Sequence, residues 1–249
     1  MRLDQFLARS GERSRSEAAR LLRAGRVFVN GQPVREGGTQ LPSDAQVLLD
    51  GQPVDGSRFQ YIMLHKPAGV LTAARDAKAA TVMGLVPESL ARRKVLPVGR
   101  LDKDTTGLLL LTNDGDLAHY LLSPKRHVTK RYLATVAGPL TIEDQRAFQE
   151  GMALSDFTAL PARLEILCVG QEQSKAAVEL REGKFHQVKR MFAAVGHPVL
   201  TLHRESFGCL RLPPDLLAGQ WRPLREDELT ELRRCAGLDA NEGNEDAHA

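Results

Sequence analysis

The residues best suited to chemistry lie in the stretch GRLDKDTTGLLLLTNDGD, residues 99–116. Asp102 stands between Gly99 and Gly107, and four consecutive leucines follow at Leu108–Leu111. A short apolar run bounded by glycine and a turn signal is typical of a buried strand. The pattern therefore predicts a carboxylate held on a loop at the entrance to a core strand, which presents one reactive group rigidly.

A second segment, REGKFHQVKRMF at residues 181–192, offers cations. Gly183 ends a predicted strand, and a helix is expected to begin near His186 with Lys189 and Arg190 on it. A carboxylate in a dry pocket takes up a proton unless a cation stands beside it. Lys189 and its neighbour Arg190 are both candidates for that cation. Composition alone would make the segment a basic surface helix.

GRLD followed by a Thr-Gly pair and a leucine run resembles the catalytic loop of the bacterial ribosomal RNA pseudouridine synthases. The resemblance is strongest to the branch that modifies the small ribosomal subunit. It implies that the first Asp of GRLD, Asp102, is the essential carboxylate, whereas Asp104 has no such role. The family pattern HQ-x-[KR] is matched by residues 186–189, and it implies that Lys189 pairs with Asp102. Lysine gives a point charge, so a bidentate clamp is not expected.

Two further segments take their roles from the same resemblance. Tyr132, in KRYLATV, is placed against the target uracil, with its hydroxyl a candidate proton shuttle; on its own it would be strand packing. Lys66 lies in LHKPAGVLT, where His65 stands in place of a common Asn and is expected to be a partly buried, hydrogen-bonded ring. Basic residues expected near RNA are Arg100, Lys66, Lys125, Arg126, Arg190 and Arg204.

The implied reaction breaks the glycosidic bond of uridine, turns the uracil and rejoins it through carbon. Nothing is added or removed, so we expect no redox cofactor, no nucleotide and no metal. DKDTT at residues 102–106 also resembles the DxDxT loop of magnesium-dependent phosphatases of the haloacid dehalogenase type. In those enzymes the apolar strand precedes the first Asp, whereas here it follows, and no later acidic pair suits magnesium.

Residues 1–54 are predicted to form a small α/β RNA-binding module. Ser14 and Glu17 have the spacing of a capping box, and Gly25 suits the end of that helix. Residues 1–35 hold eight arginines and three acids, a local charge of +5. Two basic helices followed by hairpins with Asn-Gly and Asp-Gly turns resemble the S4-type module. Its expected RNA contacts are Arg13, Arg15, Arg20, Arg23 and Arg26.

From residue 59 to residue 235 short strands alternate with helices, with strands in the majority. This pattern predicts an α+β catalytic domain with a mainly antiparallel, mixed sheet and flanking helices. A linker is expected at Asp55–Arg58. Residues 236–249 hold four acids and no Lys or Arg, and we expect them to form a disordered tail.

Composition narrows the remaining classes. The 249 residues are 42% hydrophobic and 26% charged, with no run approaching a membrane span and no signal peptide. Three distant cysteines suggest a reducing compartment. We expect a cytoplasmic monomer, not membrane-bound, that modifies 16S ribosomal RNA within an assembly particle. A large-subunit uridine, or a non-catalytic RNA-binding assembly factor, remains an alternative.

Overall fold

Buried apolar residues define two units in the computed structural model, which describes residues 1–10 and 14–238. The first unit comprises Met1–Gln60 and Val86–Leu96. The second comprises Tyr61–Leu85 and the chain from Pro97 onward. The two-residue strand β6 (Leu96–Pro97) lies where the chain passes from the first unit to the second.

The first unit packs two helices on a small antiparallel sheet of strand order β2-β1-β3-β4. Ser14 and Glu17 form the predicted capping box, with Ser14 N–H donating to Glu17 Oε2 at 2.8 Å. Asn30 and Asp50 take the positive φ expected of Asn-Gly and Asp-Gly hairpin turns. The elements are α1 (Leu3–Arg9), α2 (Arg15–Arg23), β1 (Val27–Val29), β2 (Gln32–Pro33), β3 (Val47–Leu49), β4 (Gln52–Pro53) and α3 (Glu88–Arg92).

Residues 55–58, where a linker was predicted, group with the first unit. Gly56 packs so tightly that an added Cβ would lie 1.9 Å from the Phe6 ring. Arg93 donates to the carbonyl of Asp55 at 3.2 Å, which joins residues 86–96 to the same unit. These contacts are long-range, and the polar composition of the segment gave no sign of them.

The second unit is built on a mixed sheet of strand order β11-β12-β8-β13-β7-β5-β15, with β14 paired to β13. The β13–β7 pair is parallel and the other neighbours in this order are antiparallel. The predicted α+β class with a mainly antiparallel sheet is confirmed. The strands are β5 (Tyr61–Lys66), β7 (Thr106–Thr112), β8 (Lys130–Ala137), β9 (Met152–Ala153), β10 (Thr158–Ala159), β11 (Arg163–Cys168), β12 (Gln173–Leu180), β13 (Val199–Phe207), β14 (Leu210–Arg211) and β15 (Trp221–Pro223).

Helices cover this sheet and supply much of its apolar packing. Met63 and Leu110 from the sheet share one buried cluster with Leu117, Leu121 and Leu232 from the helices. The helices are α4 (Gly115–Leu122), α5 (Ile142–Glu150), α6 (Gln187–Ala194) and α7 (Glu226–Cys235), with 3-10 turns at Val82–Leu85 and Pro124–Arg126.

The C-terminal helix α7 is part of this core. Tyr61 Oη donates to Asp114 Oδ2 at 2.7 Å and accepts from Arg233 Nη2 at 3.0 Å. Ala236 is fully buried and Leu238 packs against the same cluster. The tail predicted from residue 236 therefore begins too early, because residues 236–238 complete the packing of α7. Residues 239–249 lie outside the described part of the chain.

Candidate active site

Asp102 lies on the loop that leads into β7, as the sequence predicted. The loop turns at this residue, where the Asp102 carbonyl accepts a hydrogen bond from the Thr105 N–H at 3.1 Å. Gly99 and Gly107 flank it with φ values of 74° and 110°, a region that favours glycine. The Asp102 side chain is 25% exposed, so its carboxylate is partly desolvated yet open to a substrate.

The buried side chain of Lys66 fixes the backbone of this loop by hydrogen bonds. Its side chain is fully buried, and Nζ donates to the carbonyls of Pro67, Lys103 and Thr105 at 3.0, 3.2 and 2.8 Å. Burial lowers the pKa of Lys66 to about 8. The expectation that Lys66 contacts RNA is therefore wrong, because all three of its donor directions point to the protein's own carbonyls.

Thr72 holds the other side of the same loop. Its hydroxyl donates to the carbonyl of Leu101 at 2.7 Å and accepts from the Leu101 N–H at 3.2 Å. The Gly69 N–H donates to the Lys103 carbonyl at 2.8 Å. Residues on both sides of Asp102 are thus held by buried hydrogen bonds, which fixes the position of the carboxylate.

Four residues form one lateral row across the sheet below the loop. Tyr132 on β8 pairs with Arg204 on β13, Arg204 pairs with Gly107 on β7, and Gly107 pairs with Lys66 on β5. A Cβ at Gly107 would lie 2.3 Å from the Arg204 carbonyl oxygen. Only glycine therefore allows β7 and β13 to approach closely here. This row places Arg204 on the strand next to β7, which follows the Asp102 loop, and Tyr132 one strand further away.

Lys189 on α6 supplies the cation beside Asp102. Its Nζ lies 3.3 Å from Asp102 Oδ2 and 2.5 Å from Asp104 Oδ1. The hydrogen bond from Lys189 holds the pKa of Asp104 below its usual value. Lys189 is therefore shared between two carboxylates, and the second of them had no part in the site expected from the sequence.

Arg190, the other candidate cation, faces a different partner. Its guanidinium forms an ion pair with Asp156, donates to Ser155 Oγ at 3.0 Å and stacks over the Phe157 ring at 4.8 Å. The choice between Lys189 and Arg190 that the residues left open is thus decided in favour of Lys189. The contacts of Arg190 join α6 to the β9–β10 hairpin. They do not test its predicted contact with RNA, which stays a prediction.

His186 is a site residue that was not expected from the sequence. Its Nε2 lies 3.4 Å from Asp102 Oδ1, and its backbone adopts a left-handed conformation with φ of 51°. Strained backbone of this kind is concentrated at functional sites. The signal was present in the sequence, because His186 opens the segment HQVK and stands three residues before Lys189.

Arg204 is not the basic loop residue that the sequence suggested. It lies on β13 and is 2% exposed, with Nε donating to the Leu108 carbonyl at 2.8 Å. Its Nη2 is buried without a hydrogen-bond partner among the described residues. Lys130 is also buried, and burial lowers its pKa to about 8. A phosphate on the protein surface cannot reach Arg204, so the expectation of an exposed basic loop residue is wrong, whereas its contact with RNA stays a prediction.

The other predicted RNA contacts in this unit lie at the surface. Arg100, Lys125 and Arg126 are exposed. The Arg126 guanidinium lies over the Tyr120 ring at 4.9 Å, a cation–π contact that orients the side chain. Tyr132 is on β8 and only 9% exposed, so its predicted role at the uracil stays a prediction. His65 is half-buried, and its Nδ1 lies 2.7 Å from the Leu216 carbonyl, as expected.

The predicted RNA contacts of the first unit divide into three groups. Arg20 and Arg23 are exposed on α2. Arg26 is exposed too, but its guanidinium forks onto Asp50 at 2.6 and 2.5 Å, so most of its donors are occupied. Arg13 and the side chain of Arg15 lie outside the described residues.

Two classes of feature are absent from residues 1–10 and 14–238. No group of three or more His, Cys, Asp or Glu side chains in these ranges is arranged to hold a metal ion. No helix there is long and apolar enough to cross a membrane.

Comparison with known proteins agrees with this geometry. Residues 60–194 match the RNA pseudouridylate synthase family, and residues 1–47 match the S4 domain. An uncharacterised RNA pseudouridine synthase of Bacillus subtilis is 42% identical over 92% of this chain and 97% of its own length. The ribosomal small subunit pseudouridine synthase A of Escherichia coli is 40% identical over 93% of this chain and its full length.

A solved structure leads to the same family. The crystal structure of a pseudouridylate synthase is 36% identical and superimposes with a TM-score of 0.65. The alignment covers 93% of this chain and 99% of that chain. The similarity therefore extends over both units and is not limited to the loop around Asp102.

Proposed function

The chain belongs to the RNA pseudouridylate synthase family, and from this premise we propose that it converts a uridine of 16S ribosomal RNA to pseudouridine. In this isomerisation the N1–C1′ bond breaks, a C5–C1′ bond forms, the C5 proton leaves and N1 takes up a proton. The atoms of substrate and product balance, so the protein must supply positioned groups and no co-reactant. The relatives named for the small subunit support 16S RNA as the substrate.

The observation that carries the proposal is the Asp102 carboxylate 3.3 Å from the Lys189 ammonium on a loop fixed by buried hydrogen bonds. An ammonium at this distance can hold and orient the carboxylate. An ionised carboxylate can attack the sugar, attack the base or remove a sugar proton, and the proposal requires only that Asp102 does one of these. Lys189 is proposed to hold the Asp102 carboxylate in position.

Tyr132 and Arg204 are proposed to receive the uracil. A base must leave the RNA stack to reach Asp102, and enzymes hold such flipped bases against aromatic side chains and hydrogen-bond donors. Tyr132 supplies the ring, and the adjacent Arg204 carries a buried donor, Nη2, without a partner among the described residues. Because it is buried, this donor suits a base that enters the site and not a phosphate at the surface.

The first unit is proposed to bind the RNA outside the active site. It matches the S4 domain, and Arg20 and Arg23 project from α2 into solvent. Arginine suits phosphate contacts because its planar fork matches phosphate oxygens. We propose that residues 1–54 form the RNA-binding module proper, that the partner is 16S RNA in an assembling ribosomal particle, and that the protein acts as a cytoplasmic monomer.

The test is to map pseudouridine in ribosomal RNA from cells with and without this protein. One 16S position should lose pseudouridine in the deletion strain and regain it with the wild-type chain but not with Asp102→Asn. Loss at a 23S position instead would move the substrate to the large subunit. An unchanged map would contradict the proposal, and restoration by Asp102→Asn would indicate a non-catalytic assembly role.

A further inference from the structure

Phe185 is an exposed aromatic side chain at the edge of the active site. It is 71% exposed, more than any other large apolar residue in the described part of the chain, and it is the only aromatic one among the exposed set there. An isolated exposed leucine needs no explanation, but an exposed ring beside a catalytic loop does. The mechanism described above does not use this ring.

The ring is held in place and is not on a loose loop. It stacks on the His186 imidazole with centroids 3.8 Å apart and an angle of 19° between the planes. Buried Gln187 brackets the segment, accepting from the Lys184 N–H at 3.0 Å and donating to Glu182 Oε1 at 2.6 Å. One face of Phe185 is therefore covered by His186, and the other is presented to solvent in a fixed direction.

The stack of Phe185 on His186 lies beside the Asp102 carboxylate. His186 Nε2 lies 3.4 Å from Asp102 Oδ1, so Phe185 is separated from the carboxylate by one imidazole ring. Arg181 and Lys184 are exposed on the same segment, while Glu182 between them is partly buried and accepts from the Leu160 N–H and Gln187, so the exposed charge is basic. Cations around an exposed aromatic ring favour nucleic acid over an apolar protein surface as the occupant.

We propose that the open face of Phe185 stacks on an unpaired RNA base that flanks the target uridine. This inference rests on the proposed function. The target base itself is a poor occupant, because it must reach Asp102, whereas Phe185 lies in solvent against the face of the His186 ring, which meets Asp102 only at its Nε2 edge. A neighbouring base that loses its stacking partner when the uridine flips would find a new partner in this ring.

The first experiment measures binding and turnover of Phe185→Leu and Phe185→Trp with a 16S RNA transcript labelled with tritium at uridine C5, whose release reports the isomerisation. Phe185→Leu should weaken RNA binding by about fivefold to a hundredfold, as expected for loss of one base–aromatic stack. Phe185→Trp should bind as well as wild type. Leu167→Ala, which removes a 50% exposed side chain on β11, is the matched control and should change neither quantity.

A second experiment detects the stack itself. Trp221 is the only tryptophan, so Phe185→Trp combined with Trp221→Phe places a single indole at the proposed site. Stacking of a base should quench its fluorescence when the 16S transcript is added. The same indole in the unbound protein gives the reference signal.

Three results would overturn the inference. Unchanged RNA affinity of Phe185→Leu, or an unquenched indole in an RNA-bound protein, shows that no base stacks there. Unchanged affinity with an altered pH profile of kcat shows that Phe185 only positions His186. Failure of the proposed function gives a separate result, because the wild-type chain would then release no tritium from the transcript. Phe185 could then not be assigned to a base beside the target uridine.

Discussion

The loop around Asp102 and the arginine-bearing helix α2 both serve the same RNA in our proposal, but they are built in opposite ways. The loop is fixed by buried donors, with Lys66 alone giving three hydrogen bonds to backbone carbonyls. On α2, Arg20 and Arg23 are exposed. Chemistry needs a group held to within a fraction of an ångström, whereas phosphate binding needs only charge within reach.

This difference predicts how each region responds to substitution. Changes at the loop should alter turnover strongly and RNA affinity little, because the reacting group is displaced or lost. Changes on α2 should alter affinity and its salt dependence and leave turnover on bound RNA unchanged. The following variants test this division, from the largest expected effect to the smallest.

Asp102→Asn should abolish turnover, with a loss of about a thousandfold or more, because the isosteric amide can act neither as nucleophile nor as base. Affinity for the 16S transcript should stay close to wild type. Asp104→Asn is the matched control, since this carboxylate also bonds Lys189 but is 73% exposed. Single-turnover tritium release measures both; appreciable activity of Asp102→Asn, or equal loss in Asp104→Asn, would contradict the assignment.

Lys189→Met should lower kcat by about a hundredfold, a typical effect of removing one charged group from a preorganised site. The variant leaves two neighbouring carboxylates without their shared ammonium. Lys189→Arg should recover part of the rate because it restores the positive charge. Arg190→Met, which loses the ion pair with Asp156 instead, should lower kcat less than about fivefold. Similar kcat values for the two Met variants would remove the distinction between these neighbours.

Lys66→Met should lower kcat by about tenfold, because the loop carbonyls of Lys103 and Thr105 lose their donor and Asp102 is held less firmly. RNA affinity should not fall, because Lys66 is buried and its ammonium donates to three backbone carbonyls. A loss of affinity without a loss of kcat would restore the original view of Lys66 as an RNA contact. Steady-state kinetics with the labelled transcript separate the two.

Lys66→Met should also change how the free energy of unfolding depends on pH. Burial lowers the pKa of Lys66 to about 8, from an ordinary value of 10.5, so below pH 8 the fold holds a charged ammonium at a cost. Between these values the unfolded chain binds more protons than the folded one, and this residue's contribution to the free energy of unfolding rises with pH. The difference in unfolding free energy between wild type and Lys66→Met should therefore shift in favour of wild type from pH 8 to pH 10, as followed by Trp221 fluorescence in urea. A constant difference would contradict it.

Local patterns in the sequence predicted much of this architecture. The leucine run lies within β7, and the Ser14–Glu17 capping box opens α2, because both features depend on residues close together in the chain. Lys66 was mistaken for an RNA contact, and Arg204 for an exposed loop residue, for the opposite reason. The partners that bury Lys66 lie up to 39 residues away, and Arg204 reaches a carbonyl 96 residues away.

The smallest effect is expected on α2, where Arg20→Ala and Arg23→Ala should each weaken RNA binding a few-fold. Removing one phosphate contact should reduce the slope of log affinity against log salt by about 0.7 to 0.9. Arg26→Ala should change the slope less, because Asp50 already occupies that guanidinium.

Point variants are preferable to deleting residues 1–54, since residues 86–96 group with the first unit and would lose their packing. The measurement is a set of binding isotherms at several salt concentrations, with kcat on saturating RNA as the control. Equal slopes for the wild type and the three variants would mean that the exposed arginines of α2 do not contact phosphate. The proposed role of α2 in binding RNA, as opposed to the role of the rigid loop in chemistry, would then be wrong.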